Sequence, residues 1–328
     1  MTDWQNVLNG DPIPWLLEPD GSTELAEVNP SVRYFTLRDL LDRPQDDAEV
    51  TAAKAAIMTS PPASDILAAQ RPDGSWQAEE QAYNPMYKST VWQVVFLEEL
   101  AADGEDERVR RGVEHVFATM QAEDGSFPAL GRAYHGTLLC MEGNVLGALL
   151  GLGYGEDPRT QRAMAFLLRT VEEKGFACRY NGDKPCAWGA VKILRALAKA
   201  PSTERTPEVE KAIALGADLL LSGDLATGDY PNPKGQVSKH WFKFSFPRSY
   251  HSDILEALGV LAQLGCIGDK RLRPAVDFML SRQGKDGRWK SAHVLTGRLL
   301  VDLDKRGGPS KWITLNALRV LKQLRLTD

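Results

Sequence analysis

Three copies of one short turn decide the fold: residues 70–76 read QRPDGSW, residues 121–127 read QAEDGSF, and residues 283–289 read QGKDGRW. Weaker copies lie at residues 169–176 (RTVEEKGF) and 222–230 (SGDLATGDY). In the strong copies, Asp-Gly favours a tight chain reversal, and an aromatic residue follows two positions later. The first four copies recur roughly every fifty residues, a period typical of repeat architectures.

Each turn lies between two different helical patterns. The preceding run is amphipathic, as in ERVRRGVEHVFATM at 107–120, whereas the following run is apolar and rich in small residues, as in LLCMEGNVLGALLGLG at 138–153. The first pattern indicates an outer helix, and the second indicates an inner helix that is buried on both faces. VRYFTLRDLLDR at 32–43 would supply a sixth inner helix. We therefore predict an all-α protein with an α/α toroid fold, in which residues 1–328 form one domain and residues 1–31 are an N-terminal extension.

Composition and charge exclude several classes of protein. The formal net charge is -5 and the basic residues are scattered, which disfavours a nucleic-acid partner because phosphate binding needs clustered Lys and Arg. We expect no transmembrane segment, since no stretch approaches the ~18 to 20 apolar residues of a membrane span. The N-terminus also lacks the pattern of a signal peptide, so we expect a cytoplasmic protein. The four cysteines are then expected to be thiols or metal ligands.

The Q-x-x-D-G-S/R-W/F turns resemble the QW-type repeats of the terpene cyclase and protein prenyltransferase superfamily, specifically those of the prenyltransferase/squalene-oxidase-repeat proteins. The resemblance covers nearly the whole chain from residue 32. It implies a toroid in which the N-terminal ends of the inner helices face a deep, largely apolar pocket, and therefore an apolar or isoprenoid-like substrate. The sequence contains neither a D-x-D-D motif nor a D-D-x-x-D motif, which disfavours both cationic cyclisation and diphosphate ionisation.

The chain is similar to the zinc half of the protein prenyltransferase β subunits. In that family a Cys at the start of one inner helix joins a His in a later Tyr-His segment. The matching segments here are KPCAWGAVKIL at 184–194 and SYHSDIL at 249–255, so the resemblance implies zinc bound by Cys186 and His251. The family's third ligand is an Asp two residues before the Cys. This chain has Lys184 there and Asp183 one position earlier.

Cys140 extends this ligand set. It begins the preceding inner helix in a C-x-x-G phrase that matches the one at Cys186, so we expect Cys140, Cys186 and His251 to converge from adjacent helices. Thiolate and imidazole are favoured zinc ligands, and a catalytic zinc site keeps an open position for water or substrate. Cys178 and His135 precede these helices and are candidates for the fourth ligand.

Zinc could lower the pKa of a bound water, polarise a substrate oxygen or activate a substrate thiol. Side chains expected near the ion would then transfer protons. The principal candidates for catalytic residues are His135, Tyr250 and Asp253, with Tyr87 and Glu142 as weaker ones.

Three functions stay open. The first is a zinc-dependent enzyme acting on an apolar or isoprenoid-like substrate. The second is a metal-free lyase or isomerase similar to linalool dehydratase-isomerase, with His135, Cys178 and Cys186 as its acid-base group. The third is a non-catalytic toroid that binds a lipid or a peptide, since fold does not fix function.

A long irregular segment at residues 223–247 leads into KHWFKFSFPRSY at 239–250. Such loops are frequently lids or binding loops. We expect its aromatic residues to cover a ligand and its cations to meet an anionic group. Those cations are Lys239, His240, Lys243 and Arg248.

Overall fold

The computed structural model describes residues 3–18, 29–78, 82–130, 135–200, 202–233, 235–295 and 297–325. The inner helices are α2 (Pro30–Phe35), which continues as a π-helical segment (Thr36–Leu40), α5 (Thr90–Glu99), α7 (Leu139–Gly151), α9 (Ala187–Leu197), α11 (Ile254–Gln263) and α13 (Lys311–Leu324). The remaining helices are α1 (Ile13–Leu17), α3 (Ala48–Ile57), α4 (Ala63–Ala68), α6 (Glu107–Met120), α8 (Pro158–Lys174), α10 (Pro207–Leu221) and α12 (Arg273–Ser281).

Short elements complete the described part of the chain. Two antiparallel ladders are formed by β1 (Ala129–Leu130) with β2 (His135–Gly136), and by β3 (Ala177–Cys178) with β4 (Lys184–Pro185). Single 3₁₀ turns occupy Asp3–Val7, Arg179–Asn181, Ser202–Glu204, Lys239–Phe242 and Lys270–Leu272. In the ranges described, no helix is both long enough and apolar enough to cross a bilayer.

The inner helices form a ring. Contacts run from α5 to α7, α9, α11 and α13 in turn, and α13 also contacts α2, so the first and last inner helices are neighbours. Nearly every residue of α5, α7 and α9 is buried, whereas the outer helices α6, α8 and α10 bury one face. This arrangement confirms the predicted all-α, α/α toroid fold.

The outer helices α6 and α8 begin with the same Asp-x-Arg phrase. Asp106 caps α6 by accepting a hydrogen bond from the backbone N–H of Arg108 and also forms an ion pair with its guanidinium. Asp157 and Arg159 repeat both contacts at the start of α8. Such caps satisfy backbone donors that a helix start leaves unpaired.

The repeated turns attach each hairpin to the next outer helix. The Gln121 side-chain amide donates to the backbone oxygens of Gly125 (3.3 Å) and Arg159 (2.8 Å). Gln70 makes the equivalent pair of bonds one repeat earlier. The turn glutamine therefore bonds its own turn and the following outer helix together.

The aromatic residue of each strong turn is fixed to the following inner helix. The backbone N–H groups of Trp76, Phe127 and Trp289 donate to side chains on α5, α7 and α13, respectively. The acceptors are Thr90, Glu142 and Thr314. These bonds give the turn aromatics a structural role, because each one joins its turn to the inner helix that follows.

The weaker turn copy at residues 169–176 differs from the strong ones. Helix α8 runs through it to Lys174, and the chain reverses at Gly175, whose φ is +58°. The segment therefore lacks the extended Asp-Gly turn and leads directly into the β3–β4 hairpin.

The N-terminal segment packs on the last turn. The Asn9 backbone N–H donates to the Gln283 side chain (3.0 Å), and the Asn9 side-chain amide donates to the Gly284 oxygen (3.3 Å). A side chain at Gly287 would lie 2.2 Å from the Gly10 oxygen. Residues 9–10 thus occupy the place that an outer helix takes at the other strong turns. Residues 1–2 and 19–28 of the expected extension lie outside the described residues.

Candidate functional site

A chamber of about 580 Å³ lies inside the ring. It is lined mainly by the C-terminal halves of the inner helices and by the loop that precedes α11. Its charged lining residues are Arg38, Asp39, Lys54, Glu98, Glu99, Arg195, Lys199, Arg248, Asp253, Glu256 and Arg319. Its aromatic lining residues, apart from His251, are Tyr34, Phe35, Phe246 and Trp312.

A network of buried ion pairs crosses this interior. Arg195 on α9 pairs with Glu99 on α5 at 2.9 Å, and Lys192 pairs with Glu256 on α11 at 2.7 Å. Arg248 connects the two pairs, since its backbone N–H donates to Glu99 (3.0 Å) and its guanidinium lies 3.7 Å from Glu256. Buried charges persist when they are paired and hydrogen-bonded in this way.

The network keeps the Glu256 carboxylate ionised. Burial opposes ionisation of Glu256, but the positive charges of Lys192 and Arg248 bring the pKa of Glu256 below its ordinary value. Burial also lowers the pKa of Lys192, against the opposing effect of Glu256. The interior is therefore a set of fixed charges of both signs.

The described chamber is not lined by apolar side chains alone. The resemblance to terpene cyclases implied a deep, largely apolar pocket, whereas eleven charged residues line this chamber within the described part of the chain. Its aromatic part is small: Phe246 stacks on Trp312 with ring centroids 4.0 Å apart, and Phe35 lies 6.3 Å from the Trp312 ring. An apolar or isoprenoid-like ligand is thus still a prediction.

Three imidazoles meet beside the chamber. His240 lies in a 3₁₀ turn, His251 precedes α11 and lines the chamber, and His293 lies in a loop bridged to Ser245. One ring nitrogen from each of these histidines lies within 4.8 Å of the other two. The His240 and His251 rings stack at 4.0 Å, and the His293 ring lies edge-on to His240 at 4.7 Å.

The electrostatics of the cluster favour neutral imidazoles. Burial, followed by the neighbouring His240 and His293, lowers the pKa of His251 to about 4. Burial also lowers the pKa values of His240 and His293. The Nδ1 atoms of His240 and His251 are buried and have no hydrogen-bond partner among the described residues. Neutral, unpartnered imidazole nitrogens are the form that binds a metal.

The predicted cysteine ligands lie at the starts of inner helices. Cys186 is the N-cap residue of α9, and Cys140 lies in the first turn of α7. Cys178 is on β3 beside Cys186, and a hydrogen bond from the Cys186 thiol lowers the pKa of Cys178 to about 6. Burial raises the pKa of Cys140 to about 12.

These cysteines and His251 do not form one compact ligand set. In the ranges that the structure describes, the three histidines are the one group of three potential ligands whose atoms all lie within 4.8 Å. Cys140, Cys186 and His251 are therefore not brought together as the sequence predicted. The ring of Trp188 stands between helix α9 and the cluster, with its centroid 4.7 Å from that of His251.

Two of the predicted proton-transfer residues have structural roles. Asp253 caps α11 by accepting from the Glu256 N–H, and it also accepts from the Ser245 N–H, both at 3.0 Å. Burial raises the pKa of Asp253 to about 7. The Tyr250 hydroxyl lies 2.8 Å from the Tyr83 hydroxyl, and burial raises the pKa of Tyr250.

The third predicted residue, His135, lies in β2. Its side chain is outside the described part of the structure. The prediction for His135 therefore stays a prediction.

The sequence did not identify His240 and His293 as candidate metal ligands. His240 was interpreted as a cation of the loop, and His293 lies in SAHVLTG (291–297), which matches no metal motif. The one available signal was that three of the five histidines follow residue 239 in loop-like sequence.

Comparisons with known proteins support the fold alone. No protein-family profile matches the chain, and no curated protein matches it. The solved structures that match include an unsaturated glucuronyl hydrolase specific for heparin, with 11% identity, a TM-score of 0.52, and coverage of 98% of this chain and 97% of that one. A type II terpene cyclase from Scytonema has 14% identity, a TM-score of 0.43, and the same coverages. A protein from Actinoplanes has 21% identity, a TM-score of 0.47, and coverage of 90% of each chain.

The chain is thus an α/α toroid protein. At these identities the fold does not carry over a reaction or a substrate.

Proposed function

We propose that the protein is a zinc-dependent enzyme that holds its catalytic ion with His240, His251 and His293. The observation that carries the proposal is the convergence of three imidazole nitrogens within 4.8 Å. His251 also lines the chamber, so a substrate bound there would lie beside the ion.

The donor set fits zinc. Three nitrogen ligands at about 2.0–2.1 Å with a fourth, open position are typical of catalytic zinc. The His240 and His251 rings lie nearly parallel, and an imidazole nitrogen binds a metal in the plane of its ring, so at least one of these rings would turn for the three histidines to hold one ion. The unpartnered Nδ1 atoms of His240 and His251 are explained if one nitrogen of each ring is reserved for metal.

Bound zinc would supply Lewis acidity and a water of lowered pKa. The protein's own residues would supply orientation and proton transfer. Trp188 limits rotation of the His251 ring by edge-to-face contact. The Asp253 carboxyl lines the same chamber, and its pKa of about 7 lets it hold or release a proton near neutral pH.

The apolar or isoprenoid-like substrate is supported by the aromatic residues of the lining, chiefly Trp312 and Phe246. The paired charges beside them weigh against it, because an apolar ligand would displace water from charged groups without replacing its hydrogen bonds. The zinc proposal therefore does not depend on which substrate the chamber binds.

Metal analysis tests the proposal. Protein purified without a metal-affinity tag would be measured by elemental analysis beside the His240→Ala, His251→Ala and His293→Ala variants. His115→Ala, on outer helix α6, is the matched control. We expect one equivalent of zinc in the wild type and the control, and at least a tenfold loss of zinc affinity in each cluster variant.

Two results would overturn this ligand set. One is wild-type protein that takes up no zinc even after incubation with the ion. The other is zinc retained in His293→Ala but lost in Cys140→Ala and Cys186→Ala, which would favour the ligands inferred from the sequence. Circular dichroism of every variant would show whether metal loss accompanies loss of fold.

A metal-free lyase or isomerase is the second candidate. It is favoured by the contact between Cys178 and Cys186, which lowers the pKa of Cys178 to about 6 and makes a thiolate accessible at neutral pH. This candidate predicts that Cys178→Ser abolishes turnover while leaving metal content unchanged. The zinc proposal predicts instead that the histidine variants lose both bound metal and turnover, while Cys178→Ser keeps both.

A further inference from the structure

We infer that Cys178 and Cys186 are a redox-sensitive pair that a hydroperoxide converts reversibly into a disulfide. The inference goes beyond the proposed metal chemistry and does not require the ion. It rests on the β3–β4 hairpin, which brings the two thiols together, on the hydrogen-bond donors around the Cys178 sulfur, and on the exposure of the hairpin turn.

The hairpin places both cysteines on one face. Cys178 lies opposite Lys184 in the antiparallel ladder. The Cys186 N–H donates to the Phe176 oxygen (2.8 Å), so the same register continues and sets Cys186 opposite Phe176. Phe176 and Cys178 are two positions apart and point the same way, which makes Cys178 and Cys186 diagonal neighbours on that face. The two thiols do meet there, since the Cys186 thiol donates a hydrogen bond to the Cys178 sulfur.

Backbone and side-chain bonds hold the hairpin turn in place. The Asp183 N–H donates to the Cys178 oxygen at 3.0 Å. The Asn181 side-chain amide donates to the oxygens of Pro185 and Pro231, both at 2.8 Å, and so joins the turn to the loop that follows α10. The turn therefore holds the two sulfurs near each other in the reduced protein.

Cys178 is the more reactive thiol of the two. Its sulfur accepts hydrogen bonds from the Cys186 thiol and from the backbone N–H groups of Tyr180 and Asn181, and these bonds lower the pKa of Cys178 to about 6. The contact with Cys178, together with burial, raises the pKa of Cys186. Peroxides react with the thiolate, and redox-sensor cysteines are often placed next to a resolving thiol. Cys178 is thus the attacking thiolate, and Cys186 is the resolving thiol.

Solvent reaches the pair through the hairpin. Both cysteines are partly exposed, and the segment between them includes the exposed Tyr180 and residues 182–185. The other two cysteines differ in reactivity. Burial raises the pKa of Cys140 to about 12, and it also raises the pKa of Cys266. A peroxide should therefore discriminate between Cys178 and these two thiols.

The oxidation proceeds in two steps. The Cys178 thiolate attacks one oxygen of the hydroperoxide, so that an S–O bond forms and the O–O bond breaks; the leaving alkoxide takes up the proton that Cys178 released and becomes an alcohol, or water in the case of hydrogen peroxide. The Cys186 thiol then attacks the sulfenic acid, so that the S–S bond forms, the S–O bond breaks, and hydroxide leaves with the thiol proton as water. The two thiols lose two electrons, and the peroxide gains them.

Peptide mapping tests the inference. The full-length protein would be treated with one equivalent of hydrogen peroxide at neutral pH, blocked with N-ethylmaleimide and digested with trypsin without reduction. Cleavage after Arg179 places the two cysteines in separate peptides, 175–179 and 180–192, because trypsin does not cut between Lys184 and Pro185. We expect these two peptides to be joined by a disulfide and to separate after treatment with dithiothreitol.

Matched variants assign the role of each thiol. Cys178→Ser should give no linked peptide. Cys186→Ser removes the resolving thiol, so Cys178 should stop at the sulfenic acid and capture dimedone with a yield about tenfold above that of the wild type. Serine is a favoured N-cap residue, so helix α9 keeps its start in this variant. Cys266→Ser is the control and should form the linked peptides as the wild type does.

The inference fails if no linked peptide forms, if Cys178 is joined to Cys140 instead, or if peroxide oxidises Cys266 as readily as Cys178. If Cys186→Ser does not fold, the mapping of the wild type still decides between these outcomes. The histidine variants used to test the zinc site keep both thiols, and their zinc content is measured separately. Failure of the metal proposal and failure of this one are therefore distinguishable.

Discussion

Gly125 offers a quantitative test of how the repeats pack on one another. It lies in the second strong turn with φ at +94°, and a Cβ added there would lie 2.5 Å from the Arg162 oxygen and 2.7 Å from its carbonyl carbon. Gly153 has nearly the same φ, +90°, but an added Cβ would meet nothing within 4 Å. Both glycines therefore have a positive φ, but only Gly125 packs against the backbone of a neighbouring helix.

The magnitudes follow from these two terms. A residue other than glycine at such a φ costs about 1–2 kcal/mol, so Gly153→Ala should lower the free energy of unfolding by that amount. Forcing a methyl group into a filled space costs a further 1–3 kcal/mol or so. Gly125→Ala should therefore lose about 2–5 kcal/mol in total. The difference between the losses in Gly125→Ala and Gly153→Ala measures the contact between the turn and outer helix α8.

Urea titrations of both variants, followed by far-ultraviolet circular dichroism, would measure these changes from the unfolding midpoints. A difference below about 0.5 kcal/mol between the two variants would refute the reasoning. It would mean that the turn does not pack against the backbone of α8, and that φ alone explains why glycine is needed.

Two other perturbations probe buried polar groups. The Glu142 side chain accepts the Phe127 N–H, and burial raises the pKa of Glu142 to about 8. The folded state therefore binds a proton more tightly than the unfolded state does. The free energy of unfolding should accordingly fall as pH rises from about 4 to about 8. Glu142→Gln should remove that fall in pH-dependent thermal melts, and an unchanged slope would contradict the assignment. Lys192→Met should cost about 3 kcal/mol in urea titrations because it removes the cation that lies 2.7 Å from the buried Glu256 carboxylate; a loss below about 1 kcal/mol would show that the pair is dispensable.

The fold could be predicted well because its sequence signals are short and each one acts on residues close to it in the chain. The Asp-Gly turns, the turn glutamines and the turn aromatics each recur at a fixed place, and the hydrogen bonds of Gln70 and Gln121 repeat in the structure as their sequences do. The 3.6-residue period also separated inner from outer helices correctly. The weak copy at 169–176 was harder, since α8 continues through most of it.

The candidate site was less predictable because it depends on which residues meet across the ring. Lys192 and Glu256 are 64 positions apart, and helical periodicity shows that each is inside without showing that they pair. His293 belongs to a loop whose path is set by tertiary contacts, such as the bridge to Ser245. The expected apolar pocket likewise followed from resemblance, whereas the charges that line the chamber come from helices distant in sequence.

Closure of the ring by the N-terminal segment has a consequence for biosynthesis. Asn9 bonds to Gln283, a residue 274 positions later, so this contact cannot form until most of the chain has left the ribosome. Until then Trp15, whose ring lies 4.3 Å from the Arg288 guanidinium in the finished ring, also lacks this partner on the last turn. The nascent chain therefore carries this segment without its last-turn contacts through most of translation, when incompletely packed segments are open to chaperones.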